Sequence, residues 1–153
     1  MVKFFYSTTG LDLGQLSSFW EPDLRSGIDS YSAEKCEYLL TLFQNRGFLG
    51  VCECDGVYVS VVRVEKLDNT WLIAGLETHP DHRKRGHAAY LLESVLAHLQ
   101  QLGAACVISH VEKRNTASLT LHKKLGFLTL YDYAKYLDFT VTTKAYTLRK
   151  LLQ

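Results

Sequence analysis

The sequence predicts a mixed α/β domain of mostly antiparallel strands, and three observations predict it. Strand-like and helix-like stretches follow one another as strand, helices, three strands, helix, strand, helix and two strands. Asp55-Gly56 lies between two strand-like runs and is a strong hairpin signal, because both residue types tolerate the positive φ of a tight turn. An amphipathic helix separates the strands at Trp71 and Ala105, and a crossover of that kind leaves its two strands parallel.

In order, Val2 to Tyr6 reads as the first strand. Leu11 to about Ile28, broken by Pro22 and Gly27, reads as a short helix and a loop. Cys36, Leu39, Leu40 and Phe43 recur at helical spacing, with Gly47 as the stop and Ser32 as a capping residue. Phe48 to Cys54 and Val57 to Val64 form the hairpin arms, and Trp71 to Thr78 is a strand ended by Pro80. Ala88, Leu91, Leu92, Val95, Leu96, Leu99 and Leu102 make one helical stripe closed by Gly103. Ala105 to Val111 is a buried strand. Asn115 or Thr116 caps a helix running to about Leu125, with Gly126 beyond it, and strands follow at Leu128 to Tyr136 and Lys144 to Leu151.

Composition narrows the function. The 153 residues suit a single domain, 1–153, with a substantial core. A hydrophobic fraction of 47% and a charged fraction of 22% are those of a globular chain. The formal net charge of +1 provides no global field for nucleic acid or an anionic membrane, so functional positive charge must be local. The apolar run at the N-terminus is too short for a signal peptide, and no stretch approaches the roughly 20 apolar residues of a membrane span. Cys36, Cys52, Cys54 and Cys106 have neither disulfide-framework nor zinc spacing, which leads us to expect a cytoplasmic protein with reduced thiols. Cys52 and Cys54 share a strand face, which gives them one environment without making them ligands. His79, His82 and His87 match no zinc motif, and no metal is expected. Ser32-Ala-Glu-Lys35 fits Ser-x-x-Lys but lacks the partner motifs of that hydrolase class.

The informative stretch is Leu76-Glu77-Thr78-His79-Pro80-Asp81-His82-Arg83-Lys84-Arg85-Gly86-His87-Ala88, which carries a strand through a basic loop into a helix. The first N–H groups of a helix lack intrahelical acceptors, and the dipole adds partial positive charge there. Gly86 and the small Ala88 let a diphosphate approach that backbone, and Arg83, Lys84 and Arg85 add cationic charge. The loop is not a Walker A sequence or a dinucleotide fingerprint, because the required Gly and Gly-Lys-Ser/Thr residues are missing.

Arg83-x-x-Gly86-x-Ala88 resembles the Gln/Arg-x-x-Gly-x-Gly/Ala signature with which GNAT acetyltransferases hold the pyrophosphate of acetyl-CoA. Leu76-x-Thr78-x-Pro80 fits the family's preceding strand end, with Thr78 where Val is more usual. Asn115-x-x-Ser118-x-x-Leu121-His122-x-Lys124-x-Gly126-Phe127 is similar to the family's second motif, one helix and one strand further on. The resemblance implies a mostly antiparallel central sheet of about seven strands, with about four helices on its two faces. It also implies an acetyl-CoA-dependent N-acetyltransferase that needs no metal.

The resemblance implies roles as well. The backbone of Glu77 and Thr78 would pair with the pantetheine arm, and the amides of Arg85, Gly86, His87 and Ala88 would hold the pyrophosphate, helped by Arg83 and Lys84. Asn115 would orient the arm from the far side and cap its helix. An alkyl amine, with a pKa near roughly 10, must lose a proton before it attacks. Glu77 is the expected base, acting directly or through water, with a backbone N–H near Thr78 meeting the oxyanion. The family's helix Tyr, which protonates the departing thiolate, is replaced by His122. That imidazole is expected either as the acid or as a packing group, with Tyr131 and then Tyr133 as reserve acids. The acceptor is expected to be a small-molecule or peptide amine, facing residues 10–32 and the C-terminal strands, where Asp12, Glu21, Asp23 and Asp29 would attract a cation. No nucleic acid or membrane partner is expected, and the tail strands are compatible with a homodimer. The competing expectation is a non-catalytic acyl-CoA-binding or regulatory module.

Overall fold

The computed structural model describes residues 1–19, 37–136 and 138–153. Ser32, Lys35, Cys36, Glu21, Pro22, Asp23, Gly27 and Asp29, each given a part above, lie outside the described residues.

Seven strands form one sheet in the order β1 (Val2–Phe5), β2 (Phe48–Cys54), β3 (Val57–Lys66), β4 (Trp71–Thr78), β5 (Cys106–Glu112), β9 (Ala145–Leu151) and β6 (Leu128–Tyr131). The expected seven-stranded, mostly antiparallel sheet is present, and β4 and β5 are the parallel pair. The strand expected over 128–136 stops at Tyr131, and β7 (Ala134–Lys135) pairs instead with β8 (Val141–Thr142) in a small separate hairpin. The helices among the described residues are α1 (Leu13–Ser17), α2 (37–44), α3 (His87–Gln101) and α4 (Thr116–Lys124), with a 3-10 turn at Pro80–His82.

The helices cover both faces, which is why β2 and β3 read as nearly unbroken apolar runs rather than alternating ones. Phe48, Val62, Val64 and Ile73 face α3 and pack on Leu91, Leu92, Val95 and Leu99. Leu49, Val51 and Val61 face the other way, onto Leu16 of α1, Phe19 just beyond it, and Leu39 and Leu42 of α2. Burying each such side chain contributes about 1.5–3 kcal/mol, so the α3 stripe fixes that helix firmly on the sheet.

Turn chemistry sets the boundaries. Asp55 (φ 51°) and Gly56 (φ 80°) both take the left-handed conformation of the expected hairpin turn. Gly47 stands just past α2, where a stop is expected, and the left-handed residue there is Arg46 (φ 65°). Gly47 is needed for space: a Cβ would fall 2.7 Å from the Val64 carbonyl and into the Leu42 side chain.

Candidate active site

The site begins where the sheet comes apart. β4 pairs with β5 only from Trp71↔Val107 to Ile73↔Ser109. Two residues further on, β4 kinks at Gly75 (φ 60°), where its register with β3 shifts between Val61↔Glu77 and Arg63↔Ala74. Residues 74–78 of β4 have no partner on β5, while β5 continues to Glu112 against β9. A cleft therefore opens at the carboxyl ends of a parallel pair, where open α/β sheets bind ligands.

One wall of this cleft leads into the basic loop. Arg83 Nε donates to the Thr78 carbonyl at 3.2 Å and ties the loop to the strand end. Lys84 (φ 62°) and Gly86 (φ 82°) are both left-handed, a conformation costing a non-glycine residue about 1–2 kcal/mol. A Cβ on Gly86 would meet nothing within 4 Å, so the space above it is open and only its positive φ favours glycine. Gly86 is the N-cap of α3, no side chain caps that terminus, and no acid stands in its first turn. Arg83, Lys84 and Arg85 are exposed around it. The fifteen-residue helix thus presents uncapped N–H groups and its positive dipole end to an open, cationic surface.

The strand end carries the expected base. Val61 packs in the α1–α2 cluster, so its cross-strand neighbour Glu77 projects to that same face. Glu77 is half-buried, with Oε2 shielded from solvent. Thr78 points the other way: the Ser60 hydroxyl donates to the Glu77 carbonyl at 2.8 Å, and the Thr78 hydroxyl meets Ser60 Oγ at 3.1 Å. Thr78, unusual for its position, is thus held by a serine on β3.

Across the cleft, Asn115 is the N-cap of α4 and accepts from Ser118 N at 3.1 Å. His122 is 1% exposed, and both ring nitrogens are engaged. Nδ1 lies 2.7 Å from the Ser118 carbonyl, which can only accept, so Nδ1 carries the hydrogen. Nε2 then accepts from the Ser109 hydroxyl at 2.9 Å. Burial pushes the His122 pKa down, against the opposing pull of the Ser118 carbonyl.

Tyr131 is separated from this group. It lies on β6, with β9 and β5 between it and β4, about half exposed and stacked on Tyr133 at 5.2 Å. Asp12 caps α1, accepting from the backbone and side-chain nitrogens of Gln15. Sequence reasoning missed His110 and Tyr136. His110 alternates with the buried Ser109 and Val111, so it faces away from α3 on the side Glu77 occupies, and its ring meets Tyr136 edge-on at 5.5 Å. Burial lowers its pKa. Strand alternation could have singled out His110; Tyr136 arrives from the irregular tail and left no local signal.

A 50-residue stretch is 36% identical to the L-amino acid N-acyltransferase MnaT of Escherichia coli strain K12, covering 33% of this chain and 29% of that protein. The structure superposes on an N-acetyltransferase from Staphylococcus aureus Mu50 with a TM-score of 0.74 at 14% identity, covering 100% of this chain and 99% of that one. It also superposes on the PaiA N-acetyltransferase of Thermoplasma acidophilum in complex with coenzyme A, with a TM-score of 0.71 at 15% identity and 99% of both chains covered. Among the described residues no helix is long and apolar enough to cross a membrane. The family model of the GNAT acetyltransferases matches residues 15–127, across the cleft, the loop and α4, and the chain belongs to that family.

Proposed function

We propose that the chain transfers the acetyl group of acetyl-CoA to a primary amine, which attacks the thioester directly in a ternary complex. The observation that carries this reading is the uncapped, cation-flanked N-terminus of α3 beside the end of β4, whose edge toward β5 has no strand partner beyond Ile73. One suits a pyrophosphate and the other an extended amide-bearing arm, and they adjoin at the Arg83–Thr78 hydrogen bond.

The backbone of Glu77 and Thr78 pairs with the pantetheine, and the amides of Arg85 to Ala88 hold the pyrophosphate, supported by Arg83 and Lys84. Asn115 borders the arm from α4. Holding both substrates in one geometry is the main source of rate. Glu77, on the α1–α2 face, takes a proton from the ammonium through water, and the free amine then attacks to form the carbon–nitrogen bond, its second N–H proton leaving as the adduct collapses. A β4 amide near Thr78 meets the oxyanion. The carbon–sulfur bond then breaks, and the thiolate takes a proton to give free CoA. A thiol of pKa near roughly 8.5 is a tolerable leaving group, so water is a sufficient donor. His122 is a positioning residue in this reading, because its hydrogen is on Nδ1 and already committed to a carbonyl.

The same locked His122, where the family has Tyr, favours a second reading: an acyl-CoA-binding module without turnover. A panel of amines, amino acids and peptides assayed for CoA thiol release separates the two. Amine-dependent release that Glu77→Gln depresses supports the enzyme. Tight acetyl-CoA binding with no release across the panel supports the module.

A further inference from the structure

The Cys52 and Cys54 sulfurs and a His87 ring nitrogen lie within 4.8 Å of one another, joining the end of β2 to the first turn of α3. We infer that Cys52, Cys54 and His87 form a binding site for one thiophilic cation, zinc, which adjoins the acyl-CoA cleft at the first turn of α3 and uses the His87 ring rather than its amide. Residues two apart on a regular strand stand about 7 Å apart, so the sulfurs converge further than the pleat alone brings them. The register shift between Cys52 and Glu53 lies within this segment and distorts the strand there.

The donor set selects the ion. Two thiolates and an imidazole suit zinc or cuprous copper and exclude magnesium and calcium, which take oxygen ligands. Zinc bonds of about 2.3 Å to sulfur and 2.0–2.1 Å to nitrogen put tetrahedral ligand atoms about 3.5–3.8 Å apart. The observed spread of up to 4.8 Å exceeds that distance by about 1 Å, a gap on the scale of side-chain rotation. Cys52 is buried against the α3 core, which anchors the site, while Cys54 and His87 are partly exposed and leave an entry path. The fourth position falls to water or to His82, whose ring is 6.3 Å from that of His87. Sequence spacing conceals the site because the third ligand lies 33 positions beyond the Cys-x-Cys pair, on another element.

The test is a zinc titration of the reduced full chain, its thiols counted beforehand, in competition with a chromophoric chelator. Cobalt substitution reports the ligands. The expected results are one equivalent of zinc per chain, thiolate-to-cobalt charge-transfer absorption, and a zinc-dependent rise in Tm. Cys54→Ser and His87→Ala should each weaken zinc about 100-fold or more, beyond the 10–100-fold that losing an outer-shell partner costs. Cys106→Ser, which alters a thiol that hydrogen-bonds Thr70 instead, should retain it. Absence of binding by the reduced wild-type chain, a cobalt spectrum without thiolate absorption, or full retention of zinc by either ligand variant would overturn the site. The wild-type cobalt spectrum decides the matter even if a variant fails to fold.

Discussion

His122 Nε2 accepts a hydrogen bond from the Ser109 hydroxyl at 2.9 Å, and this bond joins α4 to β5 beneath the wall of the cleft. Both residues are almost wholly buried. Because the His122 Nδ1 hydrogen goes to the Ser118 carbonyl, the ring holds helix and strand in a fixed relation as a neutral hinge pin. A buried acceptor that loses its donor leaves about 1–3 kcal/mol uncompensated.

Ser109→Ala is therefore expected to destabilise the fold by about 1–3 kcal/mol in urea unfolding while changing kcat by little. If His122 were the thiolate's acid, removing its Ser109 partner would shift the pH–rate profile instead. A normal stability with an altered profile would contradict the positioning role.

The histidines set a pH dependence. Burial lowers the folded-state pKa of His98, His110 and His122 below the ordinary value of about 6.5. Between the folded and unfolded values the unfolded chain binds more protons. Their contribution to stability is therefore complete above about pH 6.5 and is lost as pH falls through the folded pKa. Glu65 works in the opposite sense, because burial raises its pKa and its contribution declines as pH rises through that raised value. Three groups against one predict net destabilisation on acidification below about pH 6.5. An NMR titration should find the His110 and His122 rings more than half neutral at that pH. A ring still protonated above it contradicts the burial argument.

Glu77→Gln keeps the shape of the side chain and removes the base. The expected result is a fall in kcat/KM of about 10²–10⁴-fold, with acetyl-CoA affinity nearly unchanged. Equal losses in cofactor affinity and rate would show that Glu77 shapes the cleft rather than accepting a proton.

Gly47→Ala should destabilise by about 1–3 kcal/mol through overpacking against Leu42 and Val64. Arg46→Gly should instead be stabilising or neutral, because it relieves a left-handed non-glycine residue. Chemical denaturation of both variants checks the pair, and the reverse ordering would contradict it.

That pair also shows what the sequence could tell. A glycine after a helical stripe marked the end of α2 correctly, but whether it supplied backbone freedom or clearance depended on Val64, on a strand not yet placed. Local signals were enough for the Asp55-Gly56 turn, the α3 stripe and the Asn115 cap, because each is settled within a few residues. The basic loop was legible for the same reason. The splay of β4 from β5 was not, because it arises from a kink at Gly75 read against the β3 register. The locking of His122 depended on Ser109, thirteen positions away on another element. The convergence of His87 on Cys52 and Cys54 was tertiary in the same way.

The most direct test of the central claim is a calorimetric titration with acetyl-CoA of the wild-type chain and of Gly86→Glu. The variant places a bulky carboxylate on the left-handed N-cap of α3, at the open surface where the pyrophosphate is proposed to bind. The account predicts saturable one-to-one binding by the wild type, and loss of that binding in a variant whose circular dichroism shows the fold intact. Absence of binding by the wild type, or binding that survives Gly86→Glu unchanged, would contradict it.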